Sequence, residues 1–241
     1  MLLFYVRHGD PIYSPNSLTP FGHRQAEAVG KMLAQYRINE IYSSTSERAK
    51  LTATPLCEMV KKEMTLLDFA NEDYVWHDLS VYSDSIGHDT WLFQDPKMKE
   101  LFHTPEIRAL GHSWYEHPAF LDEKFKDKDY KSGIERVRVE SDKFLQTLGY
   151  QRVADGKYKV ISHSDKRVAL FAHQGFGIAF LSCILGIPYP MFSSHFDIFT
   201  SSVTVIEFAV TNGYAYPKIL EFSSTAQMYK EGLPTAYIHS R

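Results

Sequence analysis

A short apolar run at the start of the chain stops at a cluster of polar residues. Residues 2–6 are apolar throughout and are followed at once by Arg7, His8 and Gly9. A run of this length that ends in a glycine-bearing turn is typical of a buried central strand of an α/β sheet. Ligands bind such sheets beyond the carboxyl ends of their strands. At such a site a guanidinium can pair with phosphate oxygens, and a neutral imidazole can act as a nucleophile. Three residues alone, however, also fit an ordinary surface turn.

The rest of the chain alternates short apolar runs with longer segments of helical periodicity. Strands that alternate with helices predict an α/β fold, here a three-layer sandwich with a mainly parallel central sheet flanked by helices. The last two strands flank an Asn-Gly turn and are expected as antiparallel edge strands. The strands are expected at residues 2–6, 40–43, 65–69, 158–162, 167–172, 202–210 and 216–222. The helices are expected at residues 20–36, from the Ser44–Glu47 capping box through about residue 62, and at residues 134–148 and 174–185, with a kink or restart at Pro55 in the second.

Residues 72–132 interrupt this alternation. They hold all three tryptophans, five histidines and many other aromatic residues, without a repeat. We expect one domain over residues 1–241, in which about residues 76–132 form an irregular or helical, cap-like insertion over the ligand-binding edge. Packing and surface roles are the favoured interpretation of its aromatic residues and histidines, and no metal site is predicted from them.

Composition argues against several classes of protein. The 241 residues carry a formal net charge of −3, so no broad basic surface for nucleic acid is expected. Cys57 and Cys183 lie in apolar, helix-like contexts, which is typical of core residues in a reducing compartment. The chain begins without a basic signal region and has no apolar stretch of membrane-spanning length, which predicts a cytoplasmic protein without membrane contact. A homodimer through the strand at residues 202–210 is left open.

Three more chemically active side chains come at predicted strand ends. Arg48 lies just after the second strand, Glu72 after the third, and His173 between a strand and a helix. Gln174 and Gly175 open that helix, whose unpaired N–H groups favour an anion. Taken one at a time, each residue has an ordinary alternative interpretation. Arg48 also fits a surface arginine, Glu72 a solvated turn and His173 a semi-buried histidine. Because such strand ends meet at one edge of the sheet, the joint pattern predicts a single crevice.

Several groups of residues form a recognisable series along the chain. In their order and spacing they resemble the histidine phosphatase superfamily, which has the phosphoglycerate mutase-like fold. The resemblance covers the first third of the chain and residues 168–186 well, and it hardly covers residues 76–132. The matching residues are Tyr5 to Gly9, Leu18 to Gly22 with Gln25 and Ala26, Tyr42 to Ser44, Arg48, Ala49, Thr52, Ala53, Asn71, Glu72, Phe171 to Gly175, Leu185 and Gly186.

The resemblance implies a reaction and a role for each site residue. His8 would attack phosphorus in line and become a phosphohistidine, while Arg7, Arg48 and His173 hold the phosphoryl oxygens. The nearby arginines would keep the His8 ring neutral. Glu72 would protonate the leaving oxygen and then deprotonate the water that releases phosphate. No metal and no cofactor are implied, and the partner is a small phosphorylated metabolite.

Departures from the family's pattern bear on substrate and activity. Asp10 stands where the family usually has Glu, and the family's phosphate-contacting Asn falls nearer Ser14, with Asn16 two residues on, so that contact is left open between the two. Gln174, where glycine is common, is also expected at the phosphate. Because the basic cluster of glycolytic mutases is not recognisable, a phosphomonoesterase acting on a small ester is favoured. A phosphoglycerate-type mutase and a non-catalytic phospho-ligand-binding module are the alternatives.

Overall fold

An eight-stranded sheet lies between two layers of helices in the computed structural model, which describes residues 1–235. The strands are β1 Leu2–Arg7, β2 Pro11–Tyr13, β3 Asn16–Leu18, β4 Glu40–Ser44, β5 Met64–Leu67, β6 Ser80–Ser83, β7 His88–Trp91, β8 Tyr150–Ala154, β9 Lys157–Val160, β10 Arg167–Ala172, β11 Val203–Thr211 and β12 Tyr214–Ser224. The helices are α1 Pro20–Ala34, α2 Glu47–Val60, α3 Glu72–Leu79, α4 Pro96–Phe102, α5 Pro105–Leu110, α6 Tyr130–Thr147, α7 Gln174–Leu185, α8 Tyr189–His195 and α9 Ala226–Lys230.

Strand β1 lies at the centre of the fold and is buried on both faces. Leu3 and Tyr5 point to one face, where they join a core that includes α6 and α7. Phe4 and Val6 point to the other face, where they pack with α1, α2 and α9. Because successive side chains of a strand point to opposite faces, a continuous apolar run needs a helical layer on each side. The predicted three-layer α/β sandwich is confirmed.

The sheet has the order β5-β4-β10-β1-β11-β12-β9-β8. Its first four strands are parallel, and among all eight only β9 and β11 run against the direction of β1. The expectation that the last two strands lie at an edge is wrong, because β11 pairs directly with β1. The edge is formed by β8, which the sequence pattern did not reveal. The largely buried first half of β11 suits the sheet interior, whereas the charged and exposed residues of β8 and β9 suit an edge.

Helices α1 and α2 pack against each other on one face of the sheet. Thr19 caps α1 as its position before Pro20 predicts, with its hydroxyl accepting from the Gly22 N–H at 2.9 Å. Helix α2 begins after Ser46 and runs unbroken through Pro55, where a kink or restart was expected. At that point Gly30 of α1 lets the two helices approach closely, and this packing offsets the hydrogen bond that proline cannot donate.

The predicted cap-like insertion, residues 76–132, is called the cover here. It contains the second half of α3, the hairpin of β6 and β7, helices α4 and α5, and short 3₁₀ turns. The Trp114 ring is fully buried in the cover and packs against Phe102, Phe120 and Tyr130. Much of the cover's aromatic content is therefore packing. Within residues 1–235, no helix has the length and apolar character needed to span a membrane.

Candidate active site

The carboxyl ends of the parallel strands bring five predicted residues together. Arg7 ends β1 and His8 follows it, while His173 follows β10 and caps α7. Arg48 lies in the first turn of α2, after β4, and Glu72 opens α3. Since β4, β10 and β1 are adjacent and parallel, their ends meet at one crevice. The side chains of Arg7, His8, Arg48 and His173 form what we call the basic floor of this crevice.

The ring of His8 is held as one neutral tautomer. It is 1% exposed, and its Nδ1 lies 2.8 Å from the Gly9 carbonyl oxygen, which can only accept a hydrogen bond. The proton is therefore on Nδ1, and the lone pair of Nε2 accepts from Nε of Arg48 at 3.2 Å. Burial and the Arg7 guanidinium, with a smaller effect of Arg48, hold the pKa of His8 well below its ordinary value of 6.5. Nε2 is thus an unprotonated nitrogen among cationic groups.

The carboxylate of Glu72 bridges the basic floor and the start of α7. One of its oxygens accepts from Nη2 of Arg48 at 3.0 Å, and the other accepts from the Gly175 N–H at 2.9 Å. A β-carbon at position 175 would lie 2.3 Å from the Trp91 ring, so only glycine lets the helix approach that ring. The carboxylate is therefore held in place from both sides of the crevice.

The ring of His173 lies 5.1 Å from that of His8 and is fully buried. Its Nε2 is 2.9 Å from the Ser44 hydroxyl, and its Nδ1 faces Glu72 at 3.5 Å without a hydrogen bond. Burial, followed by the neighbouring His8, lowers the pKa of His173 well below 6.5. The sequence predicts Ser44 as the cap of α2, but the N-cap position is held by Ser46, whose side chain makes no capping hydrogen bond. The Ser44 hydroxyl instead positions the imidazole of His173.

Two buried nitrogen atoms of the floor have no hydrogen-bond partner among residues 1–235. They are Nε of Arg7 and Nδ1 of His173. The Arg7 side chain is anchored through Nη1, which donates to the Ile198 carbonyl at 2.6 Å. Buried polar atoms are nearly always paired, so unpaired nitrogens beside a neutral histidine and two guanidinium groups indicate a place for an external anion.

The structure separates the three remaining candidates. Asn16 lies at the crevice, where its side-chain oxygen accepts from the Arg48 N–H at 3.2 Å and its amide donates to Ser46. Ser14 is exposed on the turn before Asn16 and does not line the crevice. The side chain of Gln174 is turned away and donates to Asp197. Of the two positions that the sequence left open, the structure brings Asn16 to the site.

A cavity of about 490 Å³ opens above the floor. Its remaining lining was not predicted from sequence. Tyr13, Trp76 and Trp91, with Asp73 beside them, form what we call the aromatic wall. The tryptophans stood out in the sequence as unassigned aromatic residues, but nothing in the pattern placed them here. The cavity is lined by Tyr13, Asn16, Arg48, Glu72, Asp73, Trp76 and Trp91.

One group of metal-ligating side chains occurs within the described part of the chain. His8, Glu72 and His173 each offer an atom, and these atoms lie within 4.8 Å of one another. Arg48, however, donates to both Nε2 of His8 and an oxygen of Glu72. A cation there would lie beside two guanidinium groups, so the charge of the site favours an anion.

Comparison with known families agrees with this arrangement. A model of the histidine phosphatase superfamily (branch 1) matches residues 3–80. Residues 3–80 therefore carry the sequence pattern of the histidine phosphatase superfamily. The matched stretch includes Arg7, His8, Arg48 and Glu72, and His173 lies beyond it. The predicted family is confirmed, and at the level of the family so is the prediction of a histidine-type phosphatase.

Solved structures of similar fold cover nearly the whole chain. Phosphoserine phosphatase from Entamoeba histolytica, solved with 3-phosphoglyceric acid, is 17% identical with a TM-score of 0.58, over 94% of this chain and 98% of that one. Mycobacterial glucosyl-3-phosphoglycerate phosphatase is 16% identical with a TM-score of 0.57, over 92% and 98%. Mycobacterial hydrolase 2 is 17% identical with a TM-score of 0.58, over 100% and 98%. At these identities the likeness establishes the fold. No curated protein sequence matches the chain.

Proposed function

We propose that this histidine phosphatase hydrolyses a small phosphate monoester, without a metal ion, through a phosphohistidine on His8. The observation that carries the proposal is the state of His8. Its Nδ1–H is fixed by the Gly9 carbonyl, so its Nε2 lone pair faces the crevice between guanidinium groups. A buried neutral imidazole beside an anion-binding floor has the protonation state that in-line attack on phosphorus requires.

In the first step, Nε2 of His8 attacks phosphorus, the N–P bond forms, and the bond from phosphorus to the ester oxygen breaks. The Gly9 carbonyl continues to accept from Nδ1–H and stabilises the positive charge of the phosphorylated ring. Arg7 and Arg48 neutralise the equatorial phosphoryl oxygens. The bound phosphate competes with Glu72 for Arg48, and the protonated Glu72 carboxyl gives its proton to the leaving oxygen.

In the second step, water attacks the phosphoryl group and Glu72 removes a proton from that water. The N–P bond breaks, which returns His8 to its neutral form and releases inorganic phosphate. Asn16, which lies beside Arg48 at the cavity, is assigned to the phosphate in preference to Ser14. We assign residues 76–132 the role of a cap, since Trp76 and Trp91 bring part of this segment over the crevice.

Two of the similar structures are a phosphoserine phosphatase and a glucosyl-3-phosphoglycerate phosphatase, which act on small phosphorylated metabolites. They support a small metabolite as the substrate here as well. A mutase must hold a second phosphate or carboxylate, whereas the aromatic wall contributes a carboxylate of its own, Asp73. This difference favours hydrolysis over phosphoryl transfer between two positions of one acid.

The test is release of phosphate from p-nitrophenyl phosphate in the presence of a chelator, between acidic and neutral pH. We expect turnover by the wild type and a fall on the order of 10⁴-fold or more in His8→Ala, because the nucleophile is lost. His163→Ala is the matched control, since the His163 side chain is 75% exposed on a distant loop. An unchanged rate in His8→Ala, or a chelator-sensitive wild type, would contradict the proposal.

A further inference from the structure

The cavity above the basic floor has an unusual lining for an enzyme of phosphorylated acids. Three of its seven lining residues are aromatic, two are carboxylates, one is an amide and one is a guanidinium. The guanidinium, Arg48, already donates to His8 and Glu72 on the floor. Among the described residues that line this cavity, no lysine, histidine or second arginine is left to pair with a charged leaving group.

Trp91 is the fixed member of the aromatic wall. It is 7% exposed, and it stacks on Phe93 with ring centroids 5.9 Å apart and an angle of 11° between the rings. Its ring also lies directly over Gly175, at the start of α7. These contacts with Phe93 and the start of α7 hold the ring in position, so the wall has a rigid aromatic back.

Trp76 and Tyr13 present aromatic surface to the open part of the cavity. The Trp76 ring stands edge-on to Trp91, with centroids 4.8 Å apart, and is 37% exposed. The Tyr13 ring lies 5.5 Å from the Arg48 guanidinium carbon and is 70% exposed. Large aromatic side chains exposed at the mouth of a cavity are typical of stacking surfaces for flat ligands.

Asp73 sets the charge of the wall. Its carboxylate is exposed at the cavity, and no salt bridge to it occurs among residues 1–235. Because Glu72 is protonated when it acts as the acid, Asp73 supplies the negative charge beside the leaving group. An ester whose alcohol carries a carboxylate or a second phosphate would therefore be repelled, and little in the wall would compensate.

We propose that this cavity selects phosphate monoesters whose alcohol carries an uncharged aromatic or heteroaromatic ring. The ring stacks between Tyr13 and Trp76 while the phosphate lies on the basic floor. The volume of about 490 Å³ lies within the range of small-ligand pockets. This inference rests on the proposed phosphatase activity and adds the class of leaving group to it.

Three matched esters test the selection. Benzyl, cyclohexylmethyl and 4-carboxybenzyl phosphate all release a primary alcohol, so their leaving groups differ little in chemical reactivity. We expect kcat/KM of the wild type to be about tenfold higher for the benzyl than for the cyclohexylmethyl ester, as one stacking contact provides. The negative charge of the 4-carboxybenzyl ester lowers kcat/KM by roughly fivefold or more.

Variants of the wall change these ratios in different ways. Trp76→Ala brings the benzyl to cyclohexylmethyl ratio close to one, and Asp73→Asn brings the benzyl to 4-carboxybenzyl ratio down. Tyr82→Ala, which removes an exposed ring of β6 outside the cavity, leaves both ratios as in the wild type.

Equal kcat/KM for the three esters in an active wild type overturns this inference and leaves the phosphatase proposal standing. Release from none of the three esters by an enzyme active on p-nitrophenyl phosphate also overturns this inference alone, whereas release from none of the four esters overturns both proposals. Equal loss for all three esters in Trp76→Ala overturns the stacking role.

Discussion

The aromatic wall lines the cavity above the basic floor, and the two regions differ in how firmly their side chains are held. His8 and His173 on the floor are 1% and 0% exposed, and each ring is fixed by a hydrogen bond. Tyr13 and Trp76 on the wall are 70% and 37% exposed. A fixed, charged floor suits a reaction that is the same for every phosphate ester, whereas exposed rings suit recognition of the variable part. Changes to the floor should therefore alter turnover of all esters, and changes to the wall should alter their ratio.

The largest effect is expected from the floor at Arg7. Arg7→Ala removes a guanidinium from the phosphoryl oxygens and should lower kcat on the order of 10³-fold for every ester, leaving the benzyl to cyclohexylmethyl ratio unchanged. Steady-state kinetics with both esters measures this. Arg138→Ala, an arginine of α6 whose side chain is 39% exposed, is the control. Urea unfolding checks that the Arg7→Ala enzyme is folded. If the folded variant kept kcat but changed the benzyl to cyclohexylmethyl ratio, the roles of floor and wall would be reversed.

Glu72 lies between the two regions, and its replacement should depend on the leaving group. Glu72→Gln keeps the shape and the acceptor for the Gly175 N–H but cannot give a proton. We expect kcat for benzyl phosphate to fall on the order of 10²-fold, because an alkoxide leaves poorly without protonation. The nitrophenolate of p-nitrophenyl phosphate leaves without help, so its first turnover should be affected less. Equal losses for both esters, measured by stopped flow, would remove the general-acid role from Glu72.

The smallest expected effect is on how the stability of the folded protein depends on pH, and it tests the burial of a floor histidine. Since the pKa of His173 is well below 6.5 in the folded protein, the unfolded chain binds more protons once the pH falls below about 6.5. Stability is therefore fully present above that pH and decreases as the pH falls, by on the order of 1 kcal/mol per pH unit for each such histidine, until the folded pKa is reached. His173→Asn should make this decrease shallower.

Urea unfolding at several pH values between neutral and acidic measures this slope. His88→Asn is the control, because the His88 ring is exposed on the cover. A slope in His173→Asn equal to that of the wild type would show that the floor histidine is not held neutral by burial.

The floor could be predicted from sequence because its signals are local. Each of Arg7, His8 and His173 stands at the end of a buried apolar run, and parallel strands bring such ends together. The order and spacing of these residues along the chain also resemble a known family, which supported the prediction of the floor. Arg48 and Glu72 followed from the same series of strand ends.

The wall could not be predicted because it depends on contacts far apart in the chain. Trp91 is placed by the pairing of β6 with β7 and by its contact with Gly175, and neither leaves a periodic signal in the sequence. Ser44 likewise reads as a helix cap, yet it bonds His173 across 129 positions. Strand β8 was missed for a related reason, since it follows α6 after a short turn and carries the exposed, polar pattern of a sheet edge.

The most direct test of the account is to look for the phosphoryl group on His8 during turnover. The wild type is mixed with p-nitrophenyl phosphate, quenched in alkali within the first turnovers, and digested for mass spectrometry. The account predicts an acid-labile phosphoryl group on the peptide that contains His8, and none in His8→Asn. Turnover with an unmodified His8, or with the phosphoryl group on another residue, would contradict it.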